Sequence, residues 1–436
     1  MKTLRLSDLD PAALRSLVER GGVSDRSSTD AVRAIVADVR ERGDAALREL
    51  TRRFDGADLA GIRVAPEAFA AARAAASPEL AEAIRTAAGN IRAFHSAQLA
   101  VEPAVETMPG VLCWRERRAI ESVGLYVPAG SAPLPSTVLM LGIPALLAGC
   151  SRIAICSPPR RDGTVDPAVL VAAGALGIEE VYAVGGAQAV AAMAYGTESV
   201  PKVEKIFGPG NRYVAAAKEL VSADPRGAAI DLLAGPSELL VIADASADAA
   251  LVAADLLSQA EHDPDAHVVL VTDSPELAAA TLRELEAQHG TLSRHAIVSR
   301  ALEGSYVLLA DSMGEAVRFS NMYAPEHLIV NVREPEPVLR AITSAGSVFV
   351  GPWAPVTAGD YASGTNHTLP TSGAARWESG LSVESFQKSI SFQRITAAGL
   401  EALAPTLATL AGAEGLDAHG RAVTMRIDRI RAGGQP

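Results

Sequence analysis

Residues 123–156 hold three consecutive segments whose patterns indicate the fold class: VGLYV at 123–127, TVLMLGIPALLA at 137–148 and RIAIC at 152–156. The first and third are short apolar runs of the kind that form buried strands, whereas the longer middle segment has the length and composition of a helix. A strand, a helix and a strand in this order predict a βαβ unit with parallel strands. The sequence therefore predicts an α/β fold.

The same alternation continues in two series. In the first, strands are predicted at Val123–Val127, Arg152–Cys156, Glu180–Val184 and Val203–Phe207, and helices at Thr137–Ala148, Pro167–Leu176, Ala187–Tyr195 and Asn211–Ser222. In the second, strands are predicted at Glu238–Ala243, His267–Thr272, Tyr306–Leu309, His327–Val332 and Ser347–Val350, and helices at Ala247–Glu261, Pro275–Gln288, Met313–Asn321 and Pro335–Thr343. Two similar, doubly wound, Rossmann-like halves are therefore expected. In such sheets ligands bind beyond the carboxyl ends of the strands.

The two ends of the chain are predicted to be helical arms. Ser28 is placed as the cap of a helix through about Arg42, and Leu400–Arg431 is assigned to closing helices. The domains expected are residues 1–122, a helical region that completes the fold and makes dimer contacts; 123–236 and 237–380, the two Rossmann-like domains, the first for the cofactor and the second with the metal-binding and catalytic residues; and 381–436, a helical dimerisation region. Residues 351–379 are expected to be rich in loops.

Composition restricts the classes of partner. The 436 residues are 49% hydrophobic and 21% charged, which is the balance of a folded globular protein. A net charge of −12 disfavours nucleic acid, because phosphate binding needs a basic surface, and a small-molecule ligand is expected instead. The three cysteines match no metal or redox spacing and are interpreted as buried apolar residues.

No membrane association is expected. The stretch Ser122–Ser151 carries no charge over 30 residues, but it contains four prolines that are incompatible with a spanning helix. The N-terminus runs directly into charged residues without an apolar signal segment, so a cytoplasmic location is expected.

Polar residues with catalytic or metal-binding chemistry occur in four places outside the standard nucleotide and metalloprotease motifs. Gln259 and His262, spaced i and i+3 near a helix end, could grip one ion, although a solvated helix end is the commoner meaning of such a pair. Glu326 and His327 adjoin at the start of a strand and are suited either to general acid–base catalysis or to a simple ion pair. The third place is the polar loop 358–370, which includes Asp360 and His367; the fourth is Glu414 with His419.

Seven segments, taken together and in order, resemble the histidinol dehydrogenase family over nearly the whole chain. They are Gly124–Pro128 (GLYVP), Val184–Ala189 (VGGAQA), Phe207–Asn211 (FGPGN), Ala234–Glu238 (AGPSE), Ser258–His262 (SQAEH), Pro325–His327 (PEH) and Gly359–Pro370.

The resemblance implies a role for each polar group. Zinc, one ion per subunit, would be bound by Gln259, His262, Asp360 and His419, and Glu326 and His327 would be the catalytic residues. NAD would be held by Tyr126, Gln188 and Asn211. Substrate would contact Ser237, His367 and Glu414 together with His327 and the four metal ligands. The family is a homodimer, which implies that Glu414 and His419 enter the partner's active site.

The activity implied is the NAD-dependent, four-electron oxidation of L-histidinol through L-histidinal to L-histidine, the last step of histidine biosynthesis. His327 would act as the general base in both oxidations, Glu326 would activate water for the second, and zinc would position the substrate. Three alternatives stay open: a relative of the same fold that oxidises another amino or sulfonated alcohol, a zinc hydrolase that uses Glu326 to activate water, and a non-catalytic binding module.

Overall fold

The computed structural model describes residues 1–20, 26–99, 101–129, 133–233 and 235–433, with only the backbone of residues 26–28. These residues divide into two compact units, which are described separately. The first unit comprises residues 1–98 and 120–386, and the second comprises residues 99–119 and 387–436. The domain boundaries predicted from the sequence stay predictions.

The described residues form 14 strands and 17 α-helices. The strands are β1 Lys2–Arg5, β2 Val105–Met108, β3 Val111–Ala119, β4 Ser122–Tyr126, β5 Arg152–Ser157, β6 Val181–Ala183, β7 Lys205–Phe207, β8 Ala229–Ile230, β9 Glu238–Ala243, β10 His267–Thr272, β11 Tyr306–Leu309, β12 His327–Asn331, β13 Ser347–Val350 and β14 Gln387–Ile395. The helices are α1 Pro11–Val18, α2 Arg26–Arg42, α3 Asp44–Asp55, α4 Pro66–Ala75, α5 Pro78–Ser96, α6 Pro135–Ala148, α7 Pro167–Ala175, α8 Gly186–Tyr195, α9 Arg212–Ala223, α10 Ala249–Ala260, α11 Pro275–His289, α12 His295–Gly304, α13 Met313–Tyr323, α14 Pro335–Ala341, α15 Val356–Tyr361, α16 Ala397–Ala413 and α17 Asp417–Arg431.

Two parallel sheets with helices on both faces form the first unit. One sheet has the strand order β6-β5-β4-β7-β8, and the other has the order β1-β11-β10-β9-β12-β13. Strands β9–β13 therefore repeat the order of strands β4–β8, which is the doubly wound arrangement. The prediction of two similar Rossmann-like halves is confirmed.

Strand β9 shows why the strands of these sheets are continuous apolar runs in the sequence. Leu239 and Val241 pack into the hydrophobic core on one face of the sheet, and Leu240 and Ile242 pack into the core on the other face. A parallel sheet covered on both sides buries every residue of a central strand, so polar alternation disappears. The predicted bounds of β9, β10, β11 and β13 agree with the structure residue for residue.

Several elements differ from the sequence-based expectations. Within residues 1–122, which were predicted to be helical, β1 adds a parallel edge strand to the second sheet, and β2 and β3 belong to the second unit. Helix α15 lies in the segment expected to be loop. Helix α2 begins at Arg26, before the predicted cap Ser28, whose side chain is outside the described residues. Exposed edge strands and short helices lack the periodic apolar pattern on which the predictions relied.

The uncharged stretch Ser122–Ser151 forms β4 and the buried helix α6, with residues 130–132 between them outside the described part. Helix α6 has 14 residues, and 11 of them are buried. No helix among the described residues is both long enough and apolar enough to cross a membrane.

The second unit consists of an antiparallel sheet and a helical hairpin. Its strands have the order β14-β3-β2, and Trp114 of β3 stacks on Phe392 of β14. Helices α16 and α17 are joined through Gly415, which has a φ of +68° that an L side chain rarely adopts.

Candidate active site

Glu326 and His327, hereafter the Glu326–His327 pair, lie where α13 turns into β12. The helix ends at Tyr323, Ala324 adopts a left-handed conformation with φ of 51°, and His327 is the first residue of the strand. Both side chains are buried, with 7% of Glu326 and 3% of His327 exposed. The pair therefore occupies the amino end of its strand, opposite to the carboxyl edge at which ligand-binding residues of such sheets were expected.

The backbone of Glu238, the first residue of the neighbouring strand β9, holds both members of the pair. Its N–H donates to Oε2 of Glu326 at 2.8 Å, and its carbonyl oxygen lies 3.1 Å from Nδ1 of His327. Because a carbonyl can only accept, this contact assigns the ring proton to Nδ1. In a neutral His327, Nε2 is then the basic atom.

Nε2 of His327 faces Asp360, whose Oδ1 lies 3.4 Å away. Burial works to lower the pKa of His327, but the carboxylates of Glu326 and Asp360 outweigh it and raise the pKa to about 10. Burial likewise works to raise the pKa of Asp360, but the hydrogen bond from His327 and the neighbouring histidines lower it. The three groups therefore form a charge-coupled cluster.

Gln259 and Asp360 are carried by two helices that are fastened together. Gln259 is near the end of α10, and Asp360 is near the end of α15. Asp255, one turn before Gln259, accepts a hydrogen bond from the backbone N–H of Val356, the first residue of α15. The pKa of Asp255 is raised to about 6, because burial outweighs this hydrogen bond. Asp255 on α10 thus contacts the start of α15, so the two helices that carry Gln259 and Asp360 are connected.

The donor set in this part of the chain fits zinc. Gln259 is 1% exposed, and its buried Oε1 has no hydrogen-bond partner among the described residues. An orphaned buried oxygen is costly unless a ligand uses it. His262 lies close enough to Asp360 to help lower the pKa of that carboxyl. Nitrogen and oxygen donors of this kind suit zinc.

The predicted metal set is distributed between the two units. Gln259, His262 and Asp360 belong to the first unit, and His419 belongs to the second. In the described part of the chain, no cluster of three or more histidine, cysteine, aspartate or glutamate side chains forms a metal site. Gln259, as a glutamine, is not a residue of those types, so the first unit supplies only His262 and Asp360 from the predicted set to such a cluster.

His367, expected to contact substrate, is held at both ring nitrogens. Nδ1 lies 2.8 Å from the backbone oxygen of Asp360, and Nε2 lies 3.3 Å from Oγ1 of the buried Thr137 on α6. Thr137 belongs to the first Rossmann-like half and Asp360 follows the second, so His367 connects the two halves. Ser237, another predicted substrate contact, directly precedes Glu238 and is partly buried.

The three residues expected to hold NAD lie along the carboxyl edge of the first sheet. Tyr126 ends β4, Asn211 follows β7, and Gln188 is on the helix after β6. Strands β4 and β7 are neighbours at the point where the strand order reverses, which is where dinucleotides bind in this fold. Tyr126 is buried, accepts the backbone N–H of Gly186 at 3.1 Å, and has a pKa raised to about 12 by burial.

The loop between β7 and Asn211 is clamped by a buried ion pair. Lys218 pairs with Asp231 and donates to the backbone oxygen of Gly208 at 3.0 Å, while Asp231 accepts the N–H of Gly208 at 2.7 Å. A Cβ at Gly208 would lie 2.2 Å from the backbone oxygen of Tyr126. The loop therefore packs directly on the end of β4, and the close approach of the two backbones leaves room only for glycine at position 208.

Glu414 and His419 lie in the second unit. Glu414 caps the end of α16, His419 is in the first turn of α17, and both are exposed. The segment 234–238 predicted from the sequence includes Ala234, which lies outside the described residues.

Sequence reasoning did not identify Thr137, Asp255 or the Lys218–Asp231 pair. Thr137 contacts the predicted site residue His367, whereas the Lys218–Asp231 pair acts on the loop before Asn211 and Asp255 acts on the helix that carries Asp360. None of them belongs to a recognisable motif. The one available signal was charge: Asp255 and Lys218 interrupt otherwise apolar faces of α10 and α9.

The chain is similar to known proteins over nearly its whole length. The family model described as histidinol dehydrogenase matches residues 18–427. The chain is 55% identical over 428 residues to histidinol dehydrogenase of Xanthomonas euvesicatoria pv. vesicatoria, covering 98% of this chain and 99% of that protein. It is 52% identical over 432 residues to that of Vibrio cholerae, covering 99% of each.

A solved structure gives the same result. The crystal structure of histidinol dehydrogenase from Elizabethkingia anophelis superposes with a TM-score of 0.95 at 47% identity, covering 99% of each chain. This chain therefore belongs to the histidinol dehydrogenase family.

Proposed function

We propose that the chain catalyses the NAD-dependent, four-electron oxidation of L-histidinol through L-histidinal to L-histidine, the last step of histidine biosynthesis, with zinc positioning the substrate. Family membership makes the chain an oxidoreductase. The observation that carries the proposal is the buried Glu326–His327 pair, oriented by one backbone amide and one carbonyl, with the basic ring nitrogen facing Asp360.

His327 is proposed as the base both for the oxidation of the alcohol and for the oxidation of the aldehyde hydrate. Its Nε2 accepts the proton of the substrate hydroxyl as the carbon–hydrogen bond breaks, and the Nδ1 hydrogen bond to Glu238 stabilises the resulting imidazolium. NAD, when bound, supplies the acceptor for the hydride. The ligand-free site holds a proton on His327, because both carboxylates raise its pKa. Once Asp360 served as a metal ligand, its carboxylate would raise the pKa of His327 less, and His327 could then lose this proton.

Glu326 is proposed to activate water for the second oxidation. Its Oε2 is engaged by the backbone N–H of Glu238, so Oε1 is the oxygen placed to accept a proton from water. The water oxygen adds to the aldehyde carbon, and the hydrate formed carries a hydroxyl whose proton His327 accepts in turn. Each oxidation releases one hydride and one proton, so two NADH form for each histidinol.

Gln259, His262, Asp360 and His419 are proposed as the zinc ligands. Zinc bound there would supply a Lewis-acidic template for the nitrogen atoms of the substrate. Ser237, His367 and Glu414 are proposed to contact the substrate as well. His367 can reach it only by exchanging one of its present partners, and the 3.3 Å contact with Thr137 is the longer of the two.

Tyr126, Gln188 and Asn211 are proposed to hold NAD at the carboxyl edge of the first sheet. Asn211 Oδ1 already accepts the N–H groups of Tyr213 and Val214 at the start of α9, so its amide nitrogen is the group proposed to reach the cofactor. The N-terminus of α8, at Gly186, is the second helix start on this edge and favours an anionic group.

A homodimer with shared active sites is proposed from the second unit. Helix α16 is rich in alanine and leucine over 17 residues, yet only Gly399 and Ala411 are buried. Leu410, Leu416 and Met425 are exposed apolar side chains on the same hairpin. An apolar surface of this kind calls for a covering partner, and a second copy would bring Glu414 and His419 with it. The cytoplasmic location stays a prediction.

The deciding experiment is a stoichiometry. Purified protein is supplied with L-histidinol and excess NAD, and NADH and L-histidine are both quantified; two NADH per histidine are expected. The activity should disappear after chelation and return with added zinc. One NADH per product, preference for another amino alcohol, or product without any NADH would each contradict the proposal.

A further inference from the structure

Arg20 is a nearly buried arginine that no step of the reaction uses. Its side chain is 11% exposed, and its Nε lies 2.7 Å from Oε1 of Glu238. Its Nη2 donates to the backbone oxygen of Tyr323 at 2.8 Å, and the guanidinium stacks 3.5 Å from the centre of the Tyr323 ring. One side chain thus contacts two segments that are distant in sequence.

The first contact of Arg20, with Glu238, connects it to the Glu326–His327 pair. The backbone of Glu238 contacts Glu326 through its N–H and His327 through its carbonyl. Its side chain is fixed by Arg20 and by the backbone N–H of Ser372 at 2.9 Å. A rotation of Glu238 about its backbone would therefore displace both hydrogen bonds at once.

The second segment leads to the same pair through Tyr323. This residue ends α13, three residues before Glu326, and Ala324 between them is held at a φ of 51°. The Tyr323 ring is fully buried, and its Oη lies 2.6 Å from Nδ1 of His267. Arg20 and His267 therefore hold the residue from which the chain turns into the Glu326–His327 pair.

Arg20 also balances charge behind the pair. Burial raises the pKa of Glu238 to about 7, Arg20 opposes this, and the Glu326 carboxylate adds to it. Two carboxyl groups thus approach each other in a buried region, and Arg20 is the cation in contact with one of them. Without Arg20, the pKa of Glu238 would rise further, and at a pH above that pKa the carboxylate would lie uncompensated next to Glu326.

We infer that Arg20 is a positioning residue for the Glu326–His327 pair, acting through the Glu238 carboxylate and the Tyr323 carbonyl. The inference rests on the proposed function, because its readout is histidinol oxidation. Arg20 touches neither reacting group, so its removal should change the alignment of the base and leave cofactor and metal binding intact.

The test compares kinetic constants of Arg20→Met with those of the wild-type holoenzyme. A misalignment of this kind lowers rate by about 10–100-fold. We expect kcat to fall by that factor with histidinol and with histidinal, while KM for NAD and the zinc content stay at wild-type values. Arg15→Met, which removes an exposed arginine of the same N-terminal segment, should keep wild-type kinetics.

Two further variants separate positioning from simple loss of structure. Arg20→Lys keeps the charge but cannot engage both partners as a planar fork, so an intermediate kcat is expected. Glu238→Gln in the Arg20→Met background removes the uncompensated charge and should recover part of the lost kcat. If Arg20→Met does not fold, Arg20→Lys carries the test.

Wild-type kcat in folded Arg20→Met would overturn the inference. So would parallel loss of zinc, NAD affinity and thermal stability in proportion to activity, or a double variant no better than Arg20→Met. If Arg20→Met does not fold, wild-type kcat in Arg20→Lys overturns it. Failure of the wild-type enzyme to oxidise histidinol would instead refute the proposed function itself.

Discussion

Glu326 accepts a hydrogen bond from the backbone N–H of Glu238 at 2.8 Å through Oε2. Glu238 begins strand β9, and Glu326 directly precedes the neighbouring strand β12. A glutamine amide oxygen can accept the same hydrogen bond, so Glu326→Gln should keep the geometry and lose only the base. We expect histidinal oxidation to slow by about 10²–10⁴-fold and histidinol oxidation to the aldehyde to slow far less.

Separate assays of the two half-reactions check this prediction, with single-turnover NADH formation from histidinol and steady-state NADH formation from histidinal. His327→Asn is the matched variant, and it should slow both half-reactions. Equal losses in the two assays of Glu326→Gln would show that Glu326 is not the group that activates water.

Asp255 links the helices that carry Gln259 and Asp360, through the backbone N–H of Val356. Residues that orient metal ligands typically contribute about 10–100-fold to metal affinity. We therefore expect Asp255→Ala to lose zinc to a chelator at a concentration about 10–100-fold lower than wild type does. Asp255→Asn, which keeps a hydrogen-bond acceptor, should hold zinc nearly as well as wild type, whereas His262→Ala should lose it. Unchanged zinc retention in Asp255→Ala would refute this link.

Shared active sites predict complementation between two inactive variants. If each site takes His327 from one chain and His419 from the other, a dimer of His327→Ala with His419→Ala has one site with both lesions and one intact site. With random pairing, half the dimers are mixed and half of their sites work, so roughly a quarter of wild-type activity should return.

Co-expression with two different affinity tags supplies the measurement, because tandem purification isolates the mixed dimers, in which one site of two is intact and roughly half of wild-type activity is expected. Each variant purified alone is the control. Activity of the mixed dimers no higher than the mean of the two variants would mean that each site is built within one chain.

Substitution of Asp55 should increase the stability of the protein by an amount that depends on pH. Burial raises its pKa from 3.8 to about 6, at the carboxyl end of α3, where a negative charge is also disfavoured by the helix dipole. A raised folded-state pKa means that the contribution to stability is fully present below pH 3.8 and is lost as pH rises through about 6. Above pH 6 the buried charge therefore destabilises the folded state.

Asp55→Asn should raise the free energy of unfolding at pH 7.5 by about 1–3 kcal/mol, at roughly 1.4 kcal/mol per pKa unit, and by about half as much at pH 5, which lies between the unfolded and folded pKa values. Urea unfolding at the two pH values measures the difference. Asp58→Asn, at an exposed carboxylate paired with Arg52, should change stability little at either pH. A gain that is the same at both pH values would contradict the assignment of the effect to ionisation of Asp55.

Local sequence pattern predicted most elements of the two Rossmann-like halves, although β8, α12 and α15 were missed. Strand β9 could be bounded to the residue because it is buried on both faces and therefore apolar throughout. Strand β14 was missed because most of its residues are exposed, and its pairing with β3 joins segments far apart in the chain. Chemistry-bearing residues such as Gln259 and His327 could be named from residue type, spacing and resemblance, since these are properties of the sequence itself.

Tertiary structure alone decided how those residues are held. Nothing near Glu326 or His327 in sequence indicates that Glu238 supplies hydrogen bonds to both, or that Arg20 fixes Glu238 from the N-terminal segment. Periodicity records which face of an element is buried, whereas hydrogen bonds and ion pairs between distant segments depend on how the elements pack, and that is decided by the whole chain.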